Sequence, residues 1–331
     1  MMSAKMTDAG HAAGAAEGAP PTAARAPLGA RRVRDLLNDL GVHPSKRLGQ
    51  HFLCDPRAAA AVLEAARLGP HDAVLEVGPG LGALTYGLAA VAGAVVAVEV
   101  DARLAAALDA ATRDLPNVRV VHGDALRADL GGLLDGARPL AAGPRRLVSS
   151  LPYCIVGPLM ARLLDPDLAL ERLVVVVQRE VADRIVAHPG TKTYGQLSVL
   201  AQYHAQPRIV ARLPAAAFWP PPEVASSIVC LDRRAAPPVD VPAGRFMTVV
   251  AAALNQRRKM LLNALAASSR LREACGCDRA GVAAALAAAG IDPRRRGETL
   301  SLEEFGRVAA ALFQQGGRSC GPQKLAPPCR R

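Results

Sequence analysis

Short apolar runs alternate with helix-like stretches through the first two thirds of the chain. Five runs have the length and composition of buried strands: 73–78 (AVLEVG), 94–100 (AVVAVEV), 118–125 (VRVVHGDA), 146–150 (RLVSS) and 172–178 (RLVVVVQ). Helical patterns follow the first two runs, around 83–91 and in the segment DARLAAALDAA. This alternation is typical of a parallel sheet that helices cover on both faces, so it predicts an α/β fold.

The pattern changes after about residue 235. Residues 236–314 contain long Ala/Leu-rich segments with Arg-rich edges, which predict a small helical domain behind an α/β domain at 31–235. Residues 1–30 are rich in Ala, Gly and Pro without apolar periodicity, so we expect a disordered segment there. The basic tail at 315–331 has the same character and is expected to be flexible.

The charge of the 331-residue chain is unevenly placed. The net charge is +11, and the part from Asp232 onward holds 17 Lys+Arg against 8 Asp+Glu, which is +9 of that total. Such a balance favours a polyanionic partner, either nucleic acid or an anionic membrane surface, although a solvated basic face is the plain alternative. No apolar run is long enough to span a bilayer, and no signal peptide is recognisable, so we expect a cytoplasmic protein.

The seven cysteines are scattered and form no CxxC pair. Cys275 and Cys277 have the wrong spacing for a usual zinc knuckle. We therefore expect reduced thiols and no metal site.

A glycine-rich stretch, EVGPGLGAL (76–84), follows the first predicted strand and opens a helix. Its glycines let the backbone turn tightly and approach a ligand, although a plain tight turn would use them too. Glu99 closes the second strand, 21 residues after Gly78, where an acid can accept both ribose hydroxyls of an adenosine. Asp124 follows the third strand and can accept a hydrogen bond from an adenine amino group. The alternative for each acid is a helix N-cap.

These three loops meet at the carboxyl end of a parallel sheet, where such folds bind ligands. The arrangement allows NAD, which would make the chain an oxidoreductase, or S-adenosylmethionine. No Lys or Arg for a pyrophosphate follows the glycine loop, and the acid at Glu76 suits a cationic sulfonium. The residues therefore favour S-adenosylmethionine.

Two further stretches have the composition of a base-binding pocket. In SSLPYC (149–154), Pro152 lacks an N–H and Tyr153 can stack on a base. Phe218, in AFWPPPEV, can form the opposite wall, although both aromatics can equally be core residues. Upstream, KRLGQHFL (46–53) reads as a lid over the cofactor or as an ordinary loop with apolar anchors.

With these stretches in place, the chain resembles the ribosomal small-subunit RNA adenine dimethyltransferases from about residue 46 to 312. The matching motifs, in order, are KRLGQHFL, EVGPGLGALT, VEVD, GDAL, LPY, QREVADRIVA, YGQLSVLAQYH, FWPPPEV, NQRRKMLLNAL and GIDPRRRGETLSLEEF. The last two lie in the predicted helical domain and favour this family over the related antibiotic-resistance methylases of large-subunit rRNA. The resemblance implies a Rossmann-like methyltransferase domain with a helical C-terminal domain.

The resemblance also implies an activity: N6-dimethylation of two adjacent adenosines near the 3′ end of small-subunit rRNA, with a role in ribosome maturation. The expected partner is small-subunit rRNA in an immature particle, bound by a monomer without membrane contact. The predicted cofactor site is His51, Leu53, Glu76, Gly78, Gly80, Glu99, Asp124 and Ser150. The predicted catalytic residues are Ser150, Pro152, Tyr153 and Phe218, with the two aromatics on either side of the target adenine. The predicted rRNA-binding residues are Arg257, Arg258, Lys259, Arg294, Arg295 and Arg296.

The chain departs from the family pattern at two positions. His51 and Ser150 both stand where the family usually has Asn. In the family, the Asn before Leu-Pro-Tyr and the carbonyl of the Pro are thought to accept hydrogen bonds from the adenine amine. Serine has an acceptor oxygen but a shorter reach, which Ser149 or a water can supplement. A fully active enzyme, a slower enzyme and a non-catalytic assembly factor that keeps the fold are all open at this stage.

Overall fold

The computed structural model describes residues 29–152 and 155–315. In these ranges the helices are α1 (Ala30–Asp39), α2 (Pro56–Ala66), α3 (Thr85–Ala89), α4 (Ala102–Ala111), α5 (Leu130–Asp135), α6 (Val156–Leu163), α7 (Arg179–Ile185), α8 (Gln196–His204), α9 (Ala243–Leu254), α10 (Leu261–Ala266), α11 (Ser269–Cys275), α12 (Arg279–Ala288) and α13 (Leu302–Gln315). The strands are β1 (Phe52–Leu53), β2 (Ala73–Val77), β3 (Ala94–Glu99), β4 (Val118–His122), β5 (Arg145–Ser150), β6 (Leu170–Gln178), β7 (Ala205–Leu213), β8 (Phe218–Trp219) and β9 (Ser226–Arg233). None of these helices is long and apolar enough to cross a bilayer.

Seven strands form one sheet in the order β4-β3-β2-β5-β6-β9-β7. The five predicted strands, β2 to β6, pair in parallel, which confirms the α/β prediction. The far edge differs from the prediction, because β9 runs antiparallel to both β6 and β7. The prediction contained neither β7 nor β9.

Both faces of the sheet are covered, as the continuous apolar strands require. Alternate residues of one strand enter opposite layers: Leu75 of β2 packs into the layer that contains α5 to α8. Its neighbour Val74 packs into the layer that contains α2 and α3. The period of two along each strand therefore divides the core into two apolar layers.

A third apolar core lies among α9 to α13 and confirms that the C-terminal region is helical. It extends onto α8, where the rings of Tyr203 and Phe246 stack with centroids 4.7 Å apart. The Tyr203 hydroxyl donates to the carbonyl of Val241 at 2.9 Å. Leu200 of the same helix packs against the sheet, so α8 belongs to both cores. The boundary at 235/236 stays a prediction, and the tail predictions at 1–28 and 316–331 lie outside the described part of the chain.

The N-terminal segment is fastened across the carboxyl edge of the sheet. β1 pairs antiparallel with β8, so Phe52 faces Trp219 and Leu53 faces Phe218. Phe52 and α1 share a small apolar cluster in which Trp219 is partly buried. This pairing holds residues 47–53 and α1 above the ends of the parallel strands.

Candidate active site

A cavity of about 780 Å³ opens at the carboxyl ends of β2, β3, β4 and β5, beneath α1 and residues 47–53. All eight predicted cofactor residues line it: His51, Leu53, Glu76, Gly78, Gly80, Glu99, Asp124 and Ser150. Pro152 lines it as well. Residues that are up to 101 positions apart in sequence therefore meet at one site, as the topology predicts.

The glycine loop needs its glycines for both conformation and space. Gly78 and Gly80 have φ of +69° and +57°, in the left-handed region. A Cβ on Gly80 would lie 3.0 Å from the ring of Phe52, and one on Gly78 would lie 3.5 Å from Cγ of Pro152. The loop thus lies directly between the lid and the Ser-Leu-Pro segment.

Glu99 is a structural anchor of the site. It is 4% exposed, and its carboxylate accepts hydrogen bonds from the backbone N–H groups of Gly80 and Asp101, each at 3.0 Å. Burial raises the pKa of Glu99, and the backbone hydrogen bonds oppose that shift. Asp101, not Glu99, caps α4, so the N-cap alternative for Glu99 does not hold.

Glu76 is the second buried acid and is 2% exposed. Its Oε2 accepts a hydrogen bond from the Thr85 hydroxyl at 2.7 Å. Burial raises the pKa of Glu76 to about 8, the Thr85 hydrogen bond lowers it, and the negative charge of Glu99 raises it further. Glu76 is therefore mostly protonated at neutral pH.

Asp124 both lines the cavity and shapes the loop that follows β4. Its Oδ1 accepts a hydrogen bond from the N–H of Leu126 at 2.9 Å, and its side chain is 40% exposed. The N-cap of α5 is Asp129. Asp124 thus stabilises a turn and still presents carboxylate surface to the cavity.

The two serines before Leu151 have different environments. Ser149 is fully buried, and its hydroxyl donates to the carbonyl of Val77 on β2. Ser150 is half-buried and lines the cavity. The suggestion that Ser149 supplements Ser150 is therefore wrong, because its hydroxyl is engaged between strands. The carbonyl of Pro152 accepts a long hydrogen bond, 3.3 Å, from the N–H of Ile155.

The two aromatic residues predicted to stack on the target adenine, Phe218 and Tyr153, have to be considered separately. Phe218 is 2% exposed, packs in the core beside α2 and does not line the cavity. Because its ring is covered, this structure does not present it as a stacking surface, and the core alternative describes its position. Tyr153 lies outside the described residues. His51 Nδ1 donates to the carbonyl of Pro220 at 2.7 Å, which ties the lid to the triple-proline loop.

Sequence reasoning missed the contribution of α1. Residues of this helix line the cavity: Arg32, Val33, Leu36, Asp39 and Leu40. The signal was present, because apolar residues recur at helical spacing within ARRVRDLLND. Thr85 was missed as well, although it directly follows the glycine-rich stretch.

The two basic runs lie together but contain residues of two kinds. The N–H groups of Leu261 and Leu262 donate to the carbonyls of Arg295 and Pro293, which joins the two loops. Arg258, Lys259, Arg294 and Arg296 are exposed on this surface. Arg294 lies 3.2 Å from Asp292 and keeps 82% of its side chain exposed.

The guanidinium groups of Arg257 and Arg295 instead bind protein acceptors, although both side chains stay partly exposed. The Arg257 guanidinium binds Glu298 at 2.8 Å and the carbonyls of Tyr194 and Lys192. Arg295 makes a bidentate pair with Glu304, at 2.6 and 2.9 Å. These two guanidinium groups are occupied within the protein, so the structure does not support them as phosphate ligands.

The fold and the cavity define a class. A parallel sheet with a glycine loop after one strand and an acid at the end of the next, which NAD-binding enzymes also have, is the architecture of the Rossmann-like, S-adenosylmethionine-dependent methyltransferases. The residues fit this cofactor, because the cavity combines a carboxylate beside the glycine loop with a second buried acid suited to a cation. The model of the family described as ribosomal RNA adenine dimethylase matches residues 43–292. The chain belongs to this family, and it is an S-adenosylmethionine-dependent methyltransferase.

Known proteins agree with this assignment. The chain is 44% identical to a Moorella thermoacetica protein named ribosomal RNA small subunit methyltransferase A, over 85% of this chain and 96% of that protein. A protein of the same name from Pelotomaculum thermopropionicum is 45% identical, over 86% and 97% of the two chains.

Solved structures share the fold. The crystal structure of the 23S rRNA methyltransferase ErmE has a TM-score of 0.57 and 29% identity, and the match covers 79% of this chain and 99% of that one. A dimethyladenosine transferase from Plasmodium falciparum has a TM-score of 0.62 at 19% identity, covering 79% and 97%, which supports the fold alone.

Proposed function

We propose that this chain transfers methyl groups from S-adenosylmethionine to the N6 atoms of two adjacent adenosines near the 3′ end of small-subunit rRNA. One observation carries the proposal: the Ser-Leu-Pro segment packs against the glycine loop at a single cavity. A Cβ on Gly78 would lie 3.5 Å from Pro152 and 4.0 Å from the carbonyl oxygen of Ser150. Cofactor-binding and base-accepting groups therefore share one space.

We assign the cofactor contacts by the chemistry of each group. The Glu99 carboxylate, held by two backbone N–H groups, is oriented to accept ribose hydroxyls. Asp124 presents an acceptor for the adenine amino group. Gly78 and Gly80 allow close approach of the backbone, and His51 and Leu53 close the site from above. Each of these roles is a proposal supported by position in the cavity.

Within this site, the chain's own task is to orient a weak nucleophile. An adenine amine is poorly nucleophilic because its lone pair is delocalised into the ring. When bound, S-adenosylmethionine supplies an electrophilic methyl group. Ser150 and the carbonyl of Pro152 are the acceptors that would hold the amine hydrogens and favour a tetrahedral nitrogen. The site needs no strong general base, since the N6 proton becomes acidic once the methyl is attached.

The exposed basic surface supplies the contact with rRNA. Arg258, Lys259 and Arg296 lie exposed on two joined loops and can reach phosphates, and Arg294 is paired with Asp292 but keeps 82% of its side chain exposed. Arg257 and Arg295 hold those loops in place through Glu298 and Glu304. The basic surface therefore combines exposed phosphate ligands with internal braces.

We further propose that the chain acts as a monomer in the cytoplasm on an immature small-subunit particle. Adenosines near the 3′ end of the rRNA must be accessible for the reaction, and assembly intermediates offer that access. The residues of the basic loops do not line the cavity, so rRNA bound at these loops would leave the cavity lining itself available to the target adenosines.

The test is methyl transfer from labelled S-adenosylmethionine to small subunits that lack the modification. We expect label in small-subunit rRNA and none in large subunits or in fully modified small subunits. Tight binding to unmodified small subunits without label would instead favour a non-catalytic assembly factor.

A further inference from the structure

Two carboxyl groups form the buried, acidic part of the cavity. Glu76 and Glu99 are 2% and 4% exposed, whereas the lining cations Arg32 and Arg47 are exposed on α1 and on the lid. Among the described lining residues, no buried cation faces the two acids. The cavity is thus arranged to receive positive charge from a ligand.

The two acids are stabilised differently. Both Glu99 oxygens accept backbone hydrogen bonds, from Gly80 and Asp101. Glu76 accepts a hydrogen bond from the Thr85 hydroxyl and, unlike Glu99, has no backbone hydrogen bond from the described residues that lowers its pKa. The protein therefore compensates a negative charge on Glu99 but only partly compensates one on Glu76.

The other groups around Glu76 do not supply the missing positive charge. Thr85 of α3 is neutral, and Glu99 of β3 is acidic. Asp124 is a further acid at the cavity wall, and His51 of the lid is already bound to Pro220. A bound cation is the remaining source of compensation.

We propose that Glu76 distinguishes S-adenosylmethionine from its product S-adenosylhomocysteine by charge. Glu76 is a neutral carboxylic acid without cofactor and becomes a carboxylate beside the sulfonium. This inference rests on the cofactor site proposed above. In methyl transfer the N–C bond forms while the S–C bond breaks and its electron pair stays on sulfur, which becomes a neutral thioether. N6 loses one proton to solvent. Glu76 then lacks its counter-charge and takes up a proton from solvent, so the product is held without the ion pair.

The burial of Glu76 sets the pH range of this effect. Its pKa is raised to about 8 without ligand, and a neighbouring cation lowers it. Binding of the sulfonium form then releases a proton at pH values between the bound and unbound pKa. The affinity ratio of the two ligands should rise by up to about tenfold per pH unit and level off above about pH 8.

The experiment is calorimetric titration of the purified full chain with S-adenosylmethionine and, separately, S-adenosylhomocysteine, from about pH 6 to about pH 9. Repetition in buffers of different ionisation enthalpy measures the protons released. We expect release with S-adenosylmethionine only. Equal release with both ligands would assign the ion pair to their shared ammonium group and overturn the proposal.

Two variants make the test specific to Glu76. Glu76→Gln keeps an acceptor for Thr85, so we expect intact folding and an unchanged affinity for S-adenosylhomocysteine. The affinity for S-adenosylmethionine should be about tenfold weaker, and the ratio of the two affinities should no longer depend on pH. Thr85→Val removes the hydrogen bond and should move the proton release to higher pH. If Glu76→Gln kept the native pH dependence of the affinity ratio, the inference about Glu76 would be wrong but the cofactor site would stand. If neither ligand bound to the native chain, the proposed cofactor site itself would be wrong.

Discussion

The hydroxyl of Ser149 donates to the backbone carbonyl of Val77 and is buried between two strands of the sheet. Ser150, one residue later, faces the cavity because successive strand residues point to opposite sides. Ser149 therefore connects two strands and Ser150 belongs to the site, although their side chains are identical. Ser150 remains as the side-chain acceptor that stands where relatives of this family usually have Asn.

Substitution of Ser150 tests its role as an acceptor. We expect Ser150→Asn to raise kcat, because the longer side chain reaches further into the cavity. Ser150→Ala should lower kcat by on the order of 10²-fold, the usual effect of losing a positioned hydrogen-bond partner. Single-turnover methylation of unmodified small subunits measures both.

Ser149→Ala is the matched control for these variants. It should keep the native kcat and lower the free energy of unfolding by about 1 kcal/mol, since a buried hydrogen bond is lost. An unchanged kcat in Ser150→Asn would contradict the view that serine limits this site.

Gly80→Ala should damage the cofactor site. The substitution forces a side chain into the left-handed region and places a Cβ 3.0 Å from the Phe52 ring. We expect weaker S-adenosylmethionine binding and a free energy of unfolding lower by about 1–2 kcal/mol. Gly244→Ala near the start of α9 meets no atom within 4 Å and is the control, expected to bind normally. Equal behaviour of the two variants in calorimetry and urea unfolding would refute the steric account.

Substitutions on the basic surface should have two different effects, one on rRNA binding and one on stability. Arg258→Ala combined with Lys259→Ala should weaken small-subunit binding and reduce its salt dependence by about one unit of slope per residue, with an unchanged Tm. Arg257→Ala should lower Tm instead, because Glu298 and two carbonyls lose their donor. Filter binding across a salt series and thermal unfolding measure the two effects. A lower Tm in the double variant, or a native Tm in Arg257→Ala, would contradict this division.

His204 makes the fold sensitive to acid. It is 9% exposed, and burial together with the charge of Arg233 lowers its pKa to about 4, against the opposing effect of Asp165. An unfolded histidine titrates near 6.5, so from that pH down to about 4 the unfolded chain binds a proton that the native chain does not. The free energy of unfolding should therefore fall as the pH is lowered through this range. Urea unfolding at a series of pH values measures this effect, and the free energy of unfolding should fall less steeply with pH in His204→Phe than in the native protein. An identical fall in both proteins would rule His204 out as the cause.

The fold was predictable where each strand carried its own signal. The runs in β2, β3 and β6 are apolar because helices bury both faces of these strands, so their composition identified them. β7 was harder to find, because Pro207 and three polar or charged positions interrupt an edge strand that is half exposed. The apolar centre of β9, Ile228–Leu231, did carry a readable signal.

The site was predictable where spacing fixes position in space. Glu99 and Asp124 follow strands whose ends must meet in a parallel sheet, so both reach the cavity. Exposure was not predictable. Arg257 and not Arg258 is paired because Glu298, which is distant in sequence, lies beside it, and the ring of Phe218 is covered by packing that no local pattern encodes.

The most direct measurement is mass spectrometry of the 3′ region of small-subunit rRNA after reaction of the purified chain with unmodified subunits and S-adenosylmethionine. The account predicts N6-dimethyladenosine at two neighbouring positions and its loss when Glu99 is replaced by Gln. Unmodified adenosines after tight binding of the subunit would contradict it.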